Sequence, residues 1–197
     1  MKVPNLVKYS KLSKSTYGII NVLFWILFAL TILVILLTIA TRVFPNIINL
    51  SDSDGSFRIS PDNIIQFEIS TGAISNTRIV EIYSLMFAGS ALLLILILLV
   101  LSQLKIILKN VVNKNPFAEK NAKSIKNIGY VIMASSLVMP VTKAFLINKI
   151  IHAFNLSNVN VVYTVNIEVL IIGILLLLVS AIFNYGAYLQ QEYDTTL

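Results

Sequence analysis

The sequence predicts an all-α integral membrane protein: four transmembrane helices arranged as two hairpins, with a small extracytoplasmic loop or β-hairpin between helices 1 and 2. Three observations carry that class. Of 197 residues, 57% are hydrophobic and only 12% charged, whereas about a quarter of an average soluble chain is charged. Four apolar runs are each long enough to cross a hydrocarbon core of roughly 30 Å at about 1.5 Å per helical residue. Between the second and third runs lies a basic elbow, where six lysines (105, 109, 114, 120, 123 and 126) face the single acid Glu119, a local charge of +5. Cytoplasmic loops collect Lys and Arg, so the elbow is expected inside, and the sidedness of the rest follows from it.

The formal net charge is +6. Its cations sit beside apolar runs rather than on an aromatic-laced patch. They therefore point to anionic lipid headgroups at the cytoplasmic face and not to direct nucleic-acid binding. The absence of cysteine excludes a disulfide, a thiolate metal site and a Cys nucleophile.

Residues 1–16 form a basic cytoplasmic N-terminus with Lys2, Lys8, Lys11 and Lys14 and no acid. Val3, Leu6, Val7 and Leu12 fall roughly on one helical face, which suits a short helix lying in the headgroup layer. A frayed basic tail is the rival reading. Residues 18–40, interrupted only by Asn21, Thr31 and Thr38, are the first span. A cleaved signal peptide would have an apolar core of only about 7–15 residues and a small-x-small site. Ala40-Thr41-Arg42 is a poor one, so the run is read as an anchor.

Residues 41–78 are the outer loop. Three arginines (42, 58, 78) stand against four acids (Asp52, Asp54, Asp62, Glu68), a net of −1, as suits the side opposite the elbow. Residues 51–55 read as a turn. Residues 56–59 and 64–70 alternate enough for two short strands across Ser60-Pro61-Asp62-Asn63. Asp52, Asp54 and Gly55 superficially resemble a calcium loop, but its spacing and closing Glu are missing, so no metal is expected.

Residues 79–101 are the second span, and its helical pattern continues to about residue 112. The elbow, residues 113–126, follows. Asn115 is a good N-cap and Pro116 suits a first helical position, so a helix is expected to restart there. Residues 128–151 are the third span, the least apolar, with Ser135, Ser136, Pro140, Thr142, Lys143, Asn148 and Lys149. Lys126 to Lys143 is about 25 Å along a helix, which puts Lys143 near the outer edge of the core, where it snorkels. Glu81 and Glu168 open the second and fourth spans at comparable depth, so an ion pair of Lys143 or Lys149 with one of them is expected. Pro140 removes one backbone bond and should kink or thin the helix locally. An outer loop (152–166), a fourth span (167–188) and a short tail (189–197) complete the chain. Four crossings leave both termini cytoplasmic, with the tail's Glu192 and Asp194 on the elbow's side.

Two stretches carry a resemblance. Asn115-Pro116-Phe117 with Asn121, Ile125, Lys126, Ile128 and Gly129, and the ending Phe183-Asn184-Tyr185-Gly186-Ala187-Tyr188-Leu189-Gln190-Gln191-Glu192-Tyr193-Asp194-Thr195-Thr196, resemble the bacterial membrane family called domain of unknown function two-nine-seven-five. The organisation matches over nearly the whole chain. The family often has Gly before the Pro-Phe pair, where this chain has Asn115. The resemblance implies four helices, frequent company with a small helix-turn-helix regulator, and no enzymatic chemistry.

Catalytic motifs are nearly absent. The chain has one histidine, His152, at an outer helix end, and shows no metalloprotease, nucleophile-elbow, phosphate-loop or dinucleotide signature. No carboxylate pair lies inside a span. Neither catalytic residue, cofactor nor metal is expected. Gly173, Gly186 and the run Ala88, Gly89, Ser90, Ala91 are small residues that let helices approach.

Three functions remain. The first is a non-enzymatic regulatory membrane protein whose inner face binds a small soluble partner, such as a helix-turn-helix regulator. It would use Lys105, Lys109, Lys114, Pro116, Phe117, Lys120, Asn121, Lys123, Lys126, Glu192 and Asp194, with an apolar ridge of Ile106, Ile107, Leu108, Val111, Val112 and Phe117. The same ridge lying on lipid headgroups is the bland alternative. The second is an immunity or envelope-stress protein acting through the outer loop. The third is a small transporter or channel, alone or as a homo-oligomer, for which only the third span offers a polar stripe.

Overall fold

The computed structural model describes residues 5–44, 56–59, 67–70, 76–155 and 160–196; the side chains of residues 5–12, 56–59, 67–70, 76–79, 194 and 196 are outside that description. The expected turns at 51–55 and 60–63, the start of the second strand at 64–66 and the apolar N-terminal face of Val3, Leu6, Val7 and Leu12 also fall outside it.

The elements are α1 (Asn5–Val43), β1 (Ser56–Ile59), β2 (Phe67–Ser70), α2 (Asn76–Val112), α3 (Glu119–Ala153) and α4 (Ile167–Thr196). Each of the four helices is long and apolar enough to cross a membrane, and α3 is the least apolar. The chain thus has the all-α architecture of a multi-pass membrane protein. β1 and β2 pair antiparallel with Arg58 opposite Glu68 in register.

α1 is continuous over 39 residues. From Asn5 onward the basic segment is therefore continuous with the spanning helix, which corrects the expectation that it forms a separate short helix. The one glycine there, Gly18, costs a helix only about 1 kcal/mol, too little by itself to break a helix of this length.

Two compact units divide the chain. The first joins Met1–Ile32, Leu92–Pro140 and Thr164–Leu197, and so draws on all four helices. Its outward surface is apolar. Ile19, Val22, Trp25 and Ile26 on α1 and Ile167, Ile171, Leu175, Leu178 and Ile182 on α4 are each at least half exposed. In water each such side chain forgoes roughly 1.5–3 kcal/mol of burial; lipid is the solvent that removes this penalty.

Within this unit α3 and α4 run antiparallel on a ladder of small residues. The hydroxyl of Ser180 donates to the carbonyl of Ala122 at 2.8 Å. A Cβ on Gly129 would stand 3.0 Å from the carbonyl oxygen of Gly173. The N–H of Asn166 donates to the carbonyl of Ser136 at 3.3 Å. The three rungs step by seven residues along each helix, from Ala122 through Gly129 to Ser136 and from Ser180 through Gly173 to Asn166. That is the spacing that keeps one face toward a partner helix.

The second unit joins Leu33–Ala91 and Val141–Tyr163. Here the Arg42 guanidinium donates to the Ser84 hydroxyl at 3.1 Å, and Gly89 lets α2 approach Thr142 of α3, whose Cγ2 a Cβ would meet at 3.3 Å. Ile82, Ala144 and Ile150 are buried. After α3, Asn155 takes a left-handed φ of 49°, a conformation that Asn tolerates better than most residues at a helix end.

Candidate functional site at the basic elbow

The elbow is a structured turn. α2 ends in a Schellman arrangement: the Asn115 N–H donates to the Asn110 carbonyl at 3.0 Å and the Lys114 N–H to the Val111 carbonyl at 3.0 Å. Lys114 holds the left-handed position this requires, with φ of 61°. Asn115 itself does not take a positive φ.

Pro116 does not open α3. The helix begins at Glu119, which corrects the expected restart at Asn115-Pro116. The Ala118 N–H donates to the Asn115 carbonyl at 3.4 Å, so Asn115 and Pro116 occupy the first two positions of a β-turn, where Asn and Pro are equally favoured.

Asn121 explains why the turn wins. It is fully buried, and its amide nitrogen donates to the Pro116 carbonyl at 2.8 Å and to the Asn115 carbonyl at 3.5 Å. Its oxygen accepts from the Asn110 amide at 2.7 Å. One side chain therefore ties the end of α2, the turn and the start of α3. Two turns of α2 earlier, Asn127 donates to Gln103 at 3.2 Å, a second amide clasp between the same helices. Burying amides this way is stabilising only when each is paired.

Phe117 fastens the turn to α4. Its ring lies 5.7 Å from that of Phe183, and a Cβ on Gly186 would meet its Cδ1 at 3.0 Å. The two separated stretches that carried the family resemblance are thus physically joined. Phe117 remains 45% exposed on its other side.

On this frame Lys109, Lys114, Lys120, Lys123 and Lys126 are exposed and Lys105 is half-buried. Among the described residues none of the six joins an ion pair. Lys105 rests over the Phe24 ring at 4.2 Å and Lys126 over Tyr130 at 5.7 Å. The apolar ridge is smaller than expected: Ile106 and Phe117 are exposed, whereas Ile107, Leu108, Val111 and Val112 are half-buried. α4 carries the tail helically to Thr196, with Glu192 exposed; the side chain of Asp194 lies outside the described residues.

Of the four groups expected to pair near the outer edge, Lys149 and Glu81 meet at 3.1 Å. Lys143 and Glu168 are exposed and join no ion pair among the described residues. Six span hydroxyls donate back to their own helices: Thr31 to Leu27, Thr38 to Val34, Ser90 to Met86, Ser102 to Leu99, Ser135 to Ile132 and Ser136 to Met133. His152 is exposed, and no three His, Asp or Glu converge among the described residues.

The amides of Asn110, Gln103 and Asn127 and the ladder of Ala122, Gly129, Ser136 and Ser180 lie outside the residues expected to form a site. The seven-residue recurrence of small residues on both α3 and α4 was the available signal. The amide pairs had none, since an Asn reads alike on a solvated surface and in a buried clasp.

Residues 67–197 match the model of the family described as Protein of unknown function (DUF2975). The match begins within the β1–β2 segment and leaves α1 outside it. No curated protein and no solved structure matches the chain.

Proposed function

With the chain belonging to that family of unknown function, we propose that it is a non-enzymatic regulatory protein of the cell membrane that holds a small soluble partner on its cytoplasmic face. The lysine-dense elbow lies inside by the positive-inside rule, and four crossings then bring both termini to the same side. The partner that fits is a small regulator with an acidic, partly apolar patch, and the family resemblance makes a helix-turn-helix protein the first candidate. Lysines not used for the partner face anionic headgroups.

One observation carries this reading: six lysines that join no ion pair among the described residues lie on the turn and the adjoining ends of α2 and α3, which a buried amide hub ties together. Attraction to headgroups needs only charge near the surface, and a floppy segment provides it as well. Fixing the same charges beside Ile106 and the free side of Phe117 lowers the ordering cost of binding a shaped surface. The transporter alternative has less support, because six of the span hydroxyls among the described residues bond back to their own helices.

The test is crosslinking from the elbow in living cells, repeated with Lys120, Lys123 and Lys126 changed to Glu. The parent chain should capture a soluble regulator and the variant should release it while keeping its thermal stability. Capture of the same proteins by both would end this reading.

A further inference from the structure

We propose that the crevice between α1 and α2 in the first unit binds one anionic phospholipid, with its phosphate between Lys105 and Lys109. The crevice holds about 260 Å³ and is lined by Tyr17, Phe24, Ser102, Lys105, Ile106 and Lys109. These residues form two helical stripes, Tyr17 and Phe24 seven apart on α1, and Ser102, Lys105, Ile106 and Lys109 at i, i+3, i+4 and i+7 on α2. One wall is therefore aromatic and the other is cationic with an aliphatic step.

Lys105 is held against aromatic faces, 4.2 Å from the Phe24 centroid and 5.8 Å from that of Trp25. No carboxylate pairs with it or with Lys109 among the described residues, so the ring quadrupoles are its attraction within the protein. Two ammonium groups one helical turn apart, with no acid of their own, suit a phosphate that accepts from both. The apolar wall, with the exposed Trp25 and Phe28 of α1 packed against Phe24, suits acyl chains, which a soluble anion lacks. Tyr17 is the residue type that favours headgroup depth. The inference rests on the proposed membrane placement; it assigns Lys105 and Lys109 to lipid and leaves Lys114, Lys120, Lys123 and Lys126 to the soluble partner.

The chain's single tryptophan, Trp25, reports on the crevice directly. The full-length protein is placed in phosphatidylcholine nanodiscs containing a minor fraction of acyl-brominated phosphatidylglycerol or, in parallel, acyl-brominated phosphatidylcholine. The anionic lipid should quench Trp25 more strongly. Lys105→Gln and Lys109→Gln should each weaken that preference about fivefold, whereas Lys120→Gln with Lys123→Gln should leave it unchanged. Lys105→Arg should retain it, which separates charge loss from misfolding. Equal quenching by the two lipids overturns the proposal, as does a preference that survives when Lys105→Gln and Lys109→Gln are combined. Suppression of the preference by glycerol phosphate in the buffer would mean a soluble-anion site, and a dimer shielding Trp25 from both lipids would mean a second copy; either also overturns it. Loss of lipid preference with partner capture intact leaves the proposed function standing, and the converse result leaves the lipid site standing.

Discussion

The backbone carbonyl of Ser136 accepts the N–H of Asn166 at 3.3 Å, filling the acceptor that Pro140, four residues on and without an N–H, leaves without its helical donor. α3 passes through the proline as an unbroken helix, and the freed carbonyl anchors the entry to α4. Asn166 then caps that helix with its side chain, which accepts the Val169 N–H at 3.2 Å. A lost bond in one helix thus fixes where the next begins.

Replacing the cap tests this. Asn166→Ala should lower stability by about 1 kcal/mol, and Asn166→Asp should restore most of it. Thermal unfolding in detergent followed by the helical circular-dichroism signal measures both. Equal midpoints for the Ala and Asp variants would contradict the capping role.

The small-residue ladder makes a contrast within one residue type. Gly173→Val inserts bulk against Met133 and the Gly129 backbone and should destabilise by about 1–3 kcal/mol. Gly18→Ala, with nothing within 4 Å, should be neutral or stabilising by up to about 1 kcal/mol through helix propensity. Unfolding midpoints of the two variants should move in opposite directions or differ clearly in size.

Asn121→Leu leaves the Pro116 carbonyl and the Asn110 amide without partners and should cost about 1–3 kcal/mol. Pairing it with Asn110→Leu in a double-mutant cycle should give a coupling of about 0.5–3 kcal/mol. Additive effects would show that the two amides act separately. Proteolysis at the elbow should quicken in the single variant.

Lys114→Gly relieves a left-handed strain of roughly 1 kcal/mol while deleting one elbow charge. Stability should rise while crosslinked partner falls, a combination that a purely structural elbow would not produce. The readouts are the unfolding midpoint and the crosslink yield on the same preparation.

By contrast, Glu81→Gln should shift stability by less than about 1 kcal/mol. The pair with Lys149 has side chains 59% and 43% exposed, so water already screens it. A large loss on unfolding would show that this pair is desolvated in the membrane.

Length and apolar content alone determined the four helices, because the bilayer demands about twenty apolar residues per crossing and internal pairing of every backbone group. The first residue of α4 was legible for the same kind of local reason, an Asn before an apolar run. Other features depended on contacts between segments far apart in the chain. Pro116 entered a turn and not a helix because Asn121 and Phe183 recruit its neighbours, and Asn110 was bound to Asn121 across the elbow. Residues 122–136 met 166–180 because small residues recur on both helices at one spacing. Local propensity fixes what a segment can become; which of two permitted conformations it takes is settled by the partner that satisfies its polar groups.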